Sequence, residues 1–447
     1  MRLNGWWMIA VLGLVRGSFG YISIGLRSRS SVVSSVGSSR LSLSSSGEES
    51  VELNPLVASV KISKTVEVFS LVKQMEAEGE TVTSLCVGEP DFPPPRAVLE
   101  AANDALMKNG ETRYTAVTGT AALRNAIATD LQKRKGLVYD PMTEIVVGNG
   151  AKQCVYQGVL ATCGVGDSVI VPAPYWPSYP EMVALAGASP VILPTLEEDG
   201  YLISPSALRK CLEEHADTVK LLIFCNPSNP TGGVHSQEQM EELAAVLNDF
   251  PHVAILADEI YERLVYDDCT HTSFAAISGM YHRTMTVNGF SKAYAMTGFR
   301  LGYLAAPSKL AKAVTTIQSQ LTSCAGSVSQ AAGVAALTHV PEEELQFNYN
   351  GLQQKRNFVL QRLQDMPNVQ LQVPPTGAFY VLPDVSHYGK DDTQLCLDLL
   401  QQQKLALVPG SSFGAPGTIR ISYATSMEEL TIAMNKLETF LQTYNQN

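Results

Sequence analysis

What most constrains the folding of this chain is a rhythm that begins near Leu85, where short apolar, β-rich runs alternate with stretches of helical spacing. The runs are Glu144–Val147, Ser168–Val171, Leu221–Phe224, Val253–Ala257, Thr284–Val287 and Leu301–Ala305. Strands covered on both faces read as continuous apolar runs, and helices between them act as crossovers, so the pattern predicts an α/β fold around a mostly parallel sheet. Ahead of the first run, Leu123, Ile127 and Leu131 recur at i, i+4 and i+8 within Ala122–Arg134, which is one apolar stripe of a helix.

Beyond residue 345 the pattern changes. A Gln- and Arg-rich helical stretch precedes Ala378–Leu382, Ala406–Val408 and Thr418–Ser422, predicting a second, smaller α+β unit. The expected organisation is a leader over 1–47, an arm and part of the small domain over 48–95, a large domain over 96–345 and the rest of the small domain over 346–447. A cleft between the two units is the expected ligand site.

The chain has 447 residues, 45% of them apolar and 17% charged, and a formal charge of −11. That balance is globular, and it argues against a nucleic-acid binder, whose phosphate affinity needs clustered Lys and Arg. The eight cysteines form no CxxC pair and the seven histidines no HxxxH or HExxH, so neither a metal centre nor a disulfide framework is expected.

Residues 1–47 stand apart, with five arginines and no carboxylate. The apolar run Trp6–Val15 is the length of a signal-peptide core and too short to span a bilayer, and the tract Ser18–Ser46 that follows is rich in Ser and Arg, like an organellar transit peptide. The pairing resembles the bipartite presequence of plastid proteins in algae with complex plastids, with Gly17–Gly20 as the junction. A plastid stromal destination is expected, with no membrane attachment of the mature chain. A single mitochondrial presequence and a secreted protein with a Ser-rich linker are the alternatives.

Three strand ends carry chemistry. Lys292 follows an apolar run, at the sheet edge where α/β ligands bind, and its amine can form an imine, while Arg300 eight residues later can grip a phosphate. Ala257-Asp258-Glu259-Ile260-Tyr261 places a carboxylate and a phenol at a second end, and the NPSNPTG turn containing Asn229 closes a third. Gly148-Asn149-Gly150-Ala151-Lys152 matches neither GxGxxG nor a P-loop, yet it offers a helix start whose free N–H groups suit a phosphate. Singly, each has an ordinary reading: Trp176 as a packed aromatic, Tyr114 as a loop tyrosine, Arg420 as a strand arginine beside a local acid, Asp258 as a cap, Lys152 as a solvated lysine.

Taken together and in order, the SKxxxMxGxR stretch around Lys292, the NPTG, the DEIY, GEPDF at Gly88–Phe92, APYWxSY at Ala173–Tyr179 and IRISYATS at Ile419–Ser426 resemble the class I aminotransferases, fold-type I pyridoxal phosphate enzymes, through nearly all of residues 55–445. The resemblance is nearest to the plastid, prokaryotic-type aspartate enzymes, some of which also transaminate prephenate. It implies a homodimer, amino-acid and 2-oxo-acid substrates, and pyridoxal 5'-phosphate. Lys292 would be the covalent partner and proton carrier, Asp258 would pair with the pyridinium nitrogen, Tyr261 and Asn229 would hold the ring oxygen, and Trp176 would stack on the ring. Arg300, Ser291 and the N–H groups of Ala151 and Lys152 would hold the phosphate, helped by Tyr114 of the partner subunit. Arg420, with Gly88 nearby, would take the α-carboxylate, and Lys152 and Thr65 would recognise a distal one. Two departures stand out: Gly289 replaces a serine common at the phosphate, and Ile62 replaces a proline before the Ser63-Lys64-Thr65 arm. A fold-type I lyase and a pyridoxal-binding regulator are the other readings; the regulator lacks an N-terminal helix-turn-helix in residues 1–60.

Overall fold

The computed structural model describes residues 54–389 and 391–444, apart from the side chain of Thr65. The leader expected over 1–47 lies outside the described residues. A parallel pair joins β1 (Thr83–Ser84) to a strand far downstream, and the central sheet follows in β2 (Ile145–Gly148), β3 (Ser168–Ala173), β4 (Ser189–Pro194), β5 (Val219–Cys225), β6 (Ala254–Asp258), β7 (Thr284–Gly289) and β8 (Gly302–Ala305). Its order is β2-β8-β7-β6-β5-β3-β4, parallel except at β8, which is antiparallel to both neighbours. The six expected runs all lie in this sheet. The seventh strand, β4, did not read as one: it carries Pro190 and Pro194 and its side chains are largely exposed, features tolerated only at a sheet edge.

Burial on both faces explains the continuous apolar runs. In β5, Leu221 and Ile223 pack into one cluster with Val155 and Val159 of the helix Ala151–Thr162, while Leu222 and Phe224 pack into another with Leu243 and Leu247. In β6, Leu256 faces the first cluster, and Ile255 and Ala257 face the second. Alternation therefore sends Asp258 to the side of the Ala151–Thr162 helix and Glu259 to the opposite side.

The helix anticipated over Ala122–Arg134 spans Ala121–Lys135, capped by Thr120 at its start and ended by Gly136 in the left-handed region. The later strands are β9 (Tyr380–Val381), β10 (Leu405–Ala406), β11 (Val408–Pro409) and β12 (Ile419–Ser422). They form a separate three-stranded sheet, β11-β12-β9, and the pair β1-β10. The run Ala406–Val408 divides between β10 and β11, and a single helix, Glu342–Asp365, runs through residue 345, so the change in composition there falls inside an element. The eight cysteines are all free thiols, five of them buried.

A buried ionic network locks the segment after β6. Lys135, the last residue of its helix, meets both Glu259 and Glu262; Arg134 meets Glu262 at 2.6 Å, and Ser273 donates to Glu259 at 2.7 Å. Burial pulls the Lys135 ammonium toward neutrality, but the two carboxylates outweigh it and its pKa is raised. Glu259, Glu262 and His271 converge as metal ligands do, yet the Lys135 ammonium supplies their cation. Lys135→Met leaves Glu259 with only Ser273 and the Phe274 N–H and Glu262 with only the Arg134 guanidinium, and loss of one partner of such a cluster costs roughly 3 to 5 kcal/mol; urea unfolding is expected to show a loss of that order, and Lys135→Arg a much smaller one.

Candidate active site

The reversal at β8 gathers the chemistry at one edge. Gly302 pairs with Gly148 on one side and Gly289 on the other, so the turn to Ala151, the segment to Lys292 and the approach through Arg300 meet there. Gly150, the N-cap of the Ala151–Thr162 helix, sits at φ +89° with no side-chain cap, and a Cβ on it would stand 2.7 Å from an Arg300 guanidinium nitrogen. The helix start therefore has unclaimed N–H groups facing a guanidinium, a pairing that favours a bound anion.

A cavity of about 300 Å³ opens at this edge. It is lined by Gly88, Ala151, Lys152, Trp176, Asn229, Asp258, Tyr261, Ser291, Lys292, Arg300 and Arg420, which are eleven of the thirteen residues expected from the sequence. Tyr114 lies outside it and is 91% exposed. Thr65 belongs to the helix Lys64–Ala77, and its side chain is outside the described residues. Gly289 is not part of the lining, and a Cβ there would press on the Leu301 carbonyl at 3.0 Å, so the strand pairing itself leaves little space for a serine.

The buried charges are arranged in opposition. Lys292 donates to the Gly88 carbonyl at 2.5 Å, and burial, helped by Arg420 and Arg300 against Glu89 and Asp258, lowers its pKa to about 8. It is not a solvated lysine. Asp258 accepts from the Tyr179 hydroxyl at 2.7 Å and the Ile260 N–H at 3.3 Å, yet burial prevails and raises its pKa to about 6. Arg420 is no strand arginine beside an acid: it donates to Asn229 Oδ1 at 3.1 Å and to the Cys86 carbonyl, lies between the rings of Tyr380 and Phe413, and keeps a buried Nε without a partner. Lys152 Nζ stands 5.0 Å over the Trp176 ring, and burial, with Arg300 adding, lowers its pKa.

Several members of the site were not singled out from the sequence. Tyr179 lies within the APYWxSY motif, which was read for Trp176 alone. Tyr380 donates to or accepts from Tyr261 at 2.9 Å across 119 positions of chain, a separation without any local signal. Glu89 accepts from Thr297, and Cys225 ends β5 beside Asp258.

The donor set fits pyridoxal phosphate: an uncapped helix start with Arg300 and Ser291 for a dianion, a buried carboxylate for a ring nitrogen, Tyr261 and the Asn229 amide for a ring oxygen, and a buried amine with a depressed pKa for the carbonyl carbon.

Asp258 carries a stability consequence. With a folded pKa of about 6 against an ordinary 3.8, the folded protein binds the extra proton between those values, so this group's contribution falls as pH rises through that window. In cofactor-free protein at pH 7.5, Asp258→Asn is expected to be more stable than wild type by roughly 2 to 3 kcal/mol in urea unfolding. The advantage should vanish near pH 4; no gain at pH 7.5 contradicts the burial penalty.

Residues 80–437 match the family described as Aminotransferase class I and II. An aspartate aminotransferase of Pinus pinaster is 46% identical over 404 residues, covering 88% of this chain and 81% of its own. A bifunctional aspartate aminotransferase and glutamate/aspartate-prephenate aminotransferase of Petunia hybrida is 43% identical, covering 89% and 84%. Among solved structures, the Thermus thermophilus aspartate aminotransferase with maleate superposes with a TM-score of 0.81 at 35% identity, covering 87% of this chain and 99% of its own. With the lysine, the aspartate and both arginines lining one cavity and this similarity over most of its length, the chain belongs to the class I and II aminotransferases.

Proposed function

We propose that this aminotransferase moves an amino group between aspartate or glutamate and a 2-oxo acid, with prephenate as a further acceptor, and that its cofactor is pyridoxal 5'-phosphate. The observation that carries the reading is the pair of cations in one cavity, Arg420 and Lys152, on elements 268 positions apart in sequence, beside a buried amine at Lys292. Two cations suit a substrate with two carboxylates. The activities for which the pine and petunia relatives are named, and the maleate bound by the Thermus enzyme, favour the same substrate class.

When bound, the cofactor supplies an electron-withdrawing ring that makes the proton on the substrate's Cα labile. The chain's residues do the rest. Asp258, held by Tyr179, keeps its charge at neutral pH and favours a proton on the ring nitrogen. Lys292, whose depressed pKa leaves part of its amine uncharged near pH 8, would take the proton from Cα and return it to the cofactor carbon two atoms away, across the shared nitrogen. Arg420, already aligned by Asn229, fixes the α-carboxylate, and Trp176 covers one face of the ring. Tyr114, exposed and outside its own cavity, is proposed to reach the phosphate of a second copy in a homodimer. The stretches 48–95 and 346–447 are proposed to act together as a small domain over the cleft.

Residues 1–47 are proposed as a two-step plastid leader; a reporter fused to them should reach plastids, and a cytosolic reporter contradicts this. Specificity is tested at Lys152. A charge-assisted bond to a distal carboxylate makes Lys152→Ala lower kcat/KM for aspartate by roughly ten- to a hundredfold while phenylalanine changes little. Equal losses on both substrates would assign Lys152 to the cofactor, and pyruvate released without an oxo-acid acceptor would point to a lyase.

A further inference from the structure

Tyr380 is a residue that the proposed chemistry leaves without a task, yet it touches three parts of the site. It lies on β9, in the three-stranded sheet rather than the central one, and is 2% exposed. Its hydroxyl is 2.9 Å from that of Tyr261. Its ring lies 4.5 Å from the Arg420 guanidinium, which stacks on it. It also packs against Gly88, where a Cβ would come within 2.8 Å of the Tyr380 Cζ, and the Gly88 carbonyl receives the Lys292 amine. The titratable groups facing it are Arg420, Tyr261 and Cys225.

We propose that Tyr380 is a positioning residue that serves both ends of the substrate-cofactor assembly, orienting the Tyr261 hydroxyl toward the ring oxygen of the cofactor and forming the shelf that holds the Arg420 guanidinium flat. The inference rests on the reading of this cavity as a pyridoxal phosphate site. Proton counting gives its direction. Tyr261 has one hydroxyl proton; if that proton is donated to the ring oxygen, the contact between the two phenols must be a bond donated by Tyr380. A phenol that accepts one bond becomes a better donor in the next, so Tyr380 strengthens the bond from Tyr261. A stronger donor on the ring oxygen makes the cofactor's covalent assembly with Lys292 hold its proton less firmly. The shelf works through the ring face, whose negative charge attracts the guanidinium where water is excluded.

Two substitutions separate these parts. Tyr380→Phe keeps the ring and removes the hydroxyl; Tyr380→Leu removes the aromatic face as well. In holoenzyme, the pH midpoint of the cofactor's visible absorption change is expected to rise by roughly half a unit to one unit in Tyr380→Phe, the loss of one hydrogen bond. The same variant should bind maleate, an inert dicarboxylate, about as wild type does. Tyr380→Leu should weaken maleate roughly three- to tenfold. A midpoint in Tyr380→Phe equal to that of wild type overturns the link to Tyr261, and undiminished maleate binding in Tyr380→Leu overturns the shelf. A merely structural tyrosine would lower thermal stability in both variants without moving the midpoint. If wild-type protein takes up no pyridoxal phosphate, the reading of the cavity fails first and this inference with it.

Discussion

The site depends on one strand running the wrong way. Because β8 enters the sheet antiparallel between β2 and β7, the residues before it arrive at the edge where its neighbours end. In an all-parallel sheet the same residues would lie at the far edge, some four residues of strand away. The register that pairs Gly302 with both Gly148 and Gly289 then brings an arginine, a lysine and a helix start together, and the absent side chains at Gly150 and Gly302 allow the backbones to approach. The anion-binding character of this end of the cavity follows from backbone pairing and helix geometry before any side chain is considered.

The rest of the site places charges where they are costly. Asp258 is buried and held toward neutrality, Lys292 is buried and held toward its uncharged form, and Arg420 keeps a buried nitrogen without a partner. A fold selected for stability alone would have removed all three. With the proposed cofactor and substrate, each cost would have a counterpart in a cationic ring nitrogen, a carbonyl carbon or a carboxylate, so binding and chemistry would recover what folding gives up. On the opposite face of β6, Lys135 forms ion pairs with both Glu259 and Glu262 and holds the turn that carries Asp258 and Tyr261. Adjacent residues of one strand thus do opposite work, because alternation sends Asp258 to the cavity and Glu259 to the network.

Much of this was legible in the amino-acid sequence because the information was local. Continuous apolar runs marked six of the seven central strands, and Lys292, Asp258 and Asn229 each follow such a run by a few residues, so strand ends and chemistry could be read together. Tyr114, the expected residue that stands outside the cavity, is the one whose role was inferred through a second copy, which no single strand end determines. Missed features share another cause. β4 breaks the apolar pattern with two prolines that only an edge position permits, and Tyr179 and Tyr380 matter through hydroxyl contacts with partners 79 and 119 positions away. Periodicity reports which face a residue occupies; it cannot report which hydroxyl meets which.

The central claim is that the buried Lys292 amine is the group that captures the cofactor. Reduction of the wild-type holoenzyme with borohydride, followed by peptide mass mapping, tests it most directly. The account predicts a stable pyridoxyl adduct on the peptide carrying Lys292 and none on Lys292→Ala protein that still folds. An adduct on Lys152, or on any other lysine of the wild type, would contradict it.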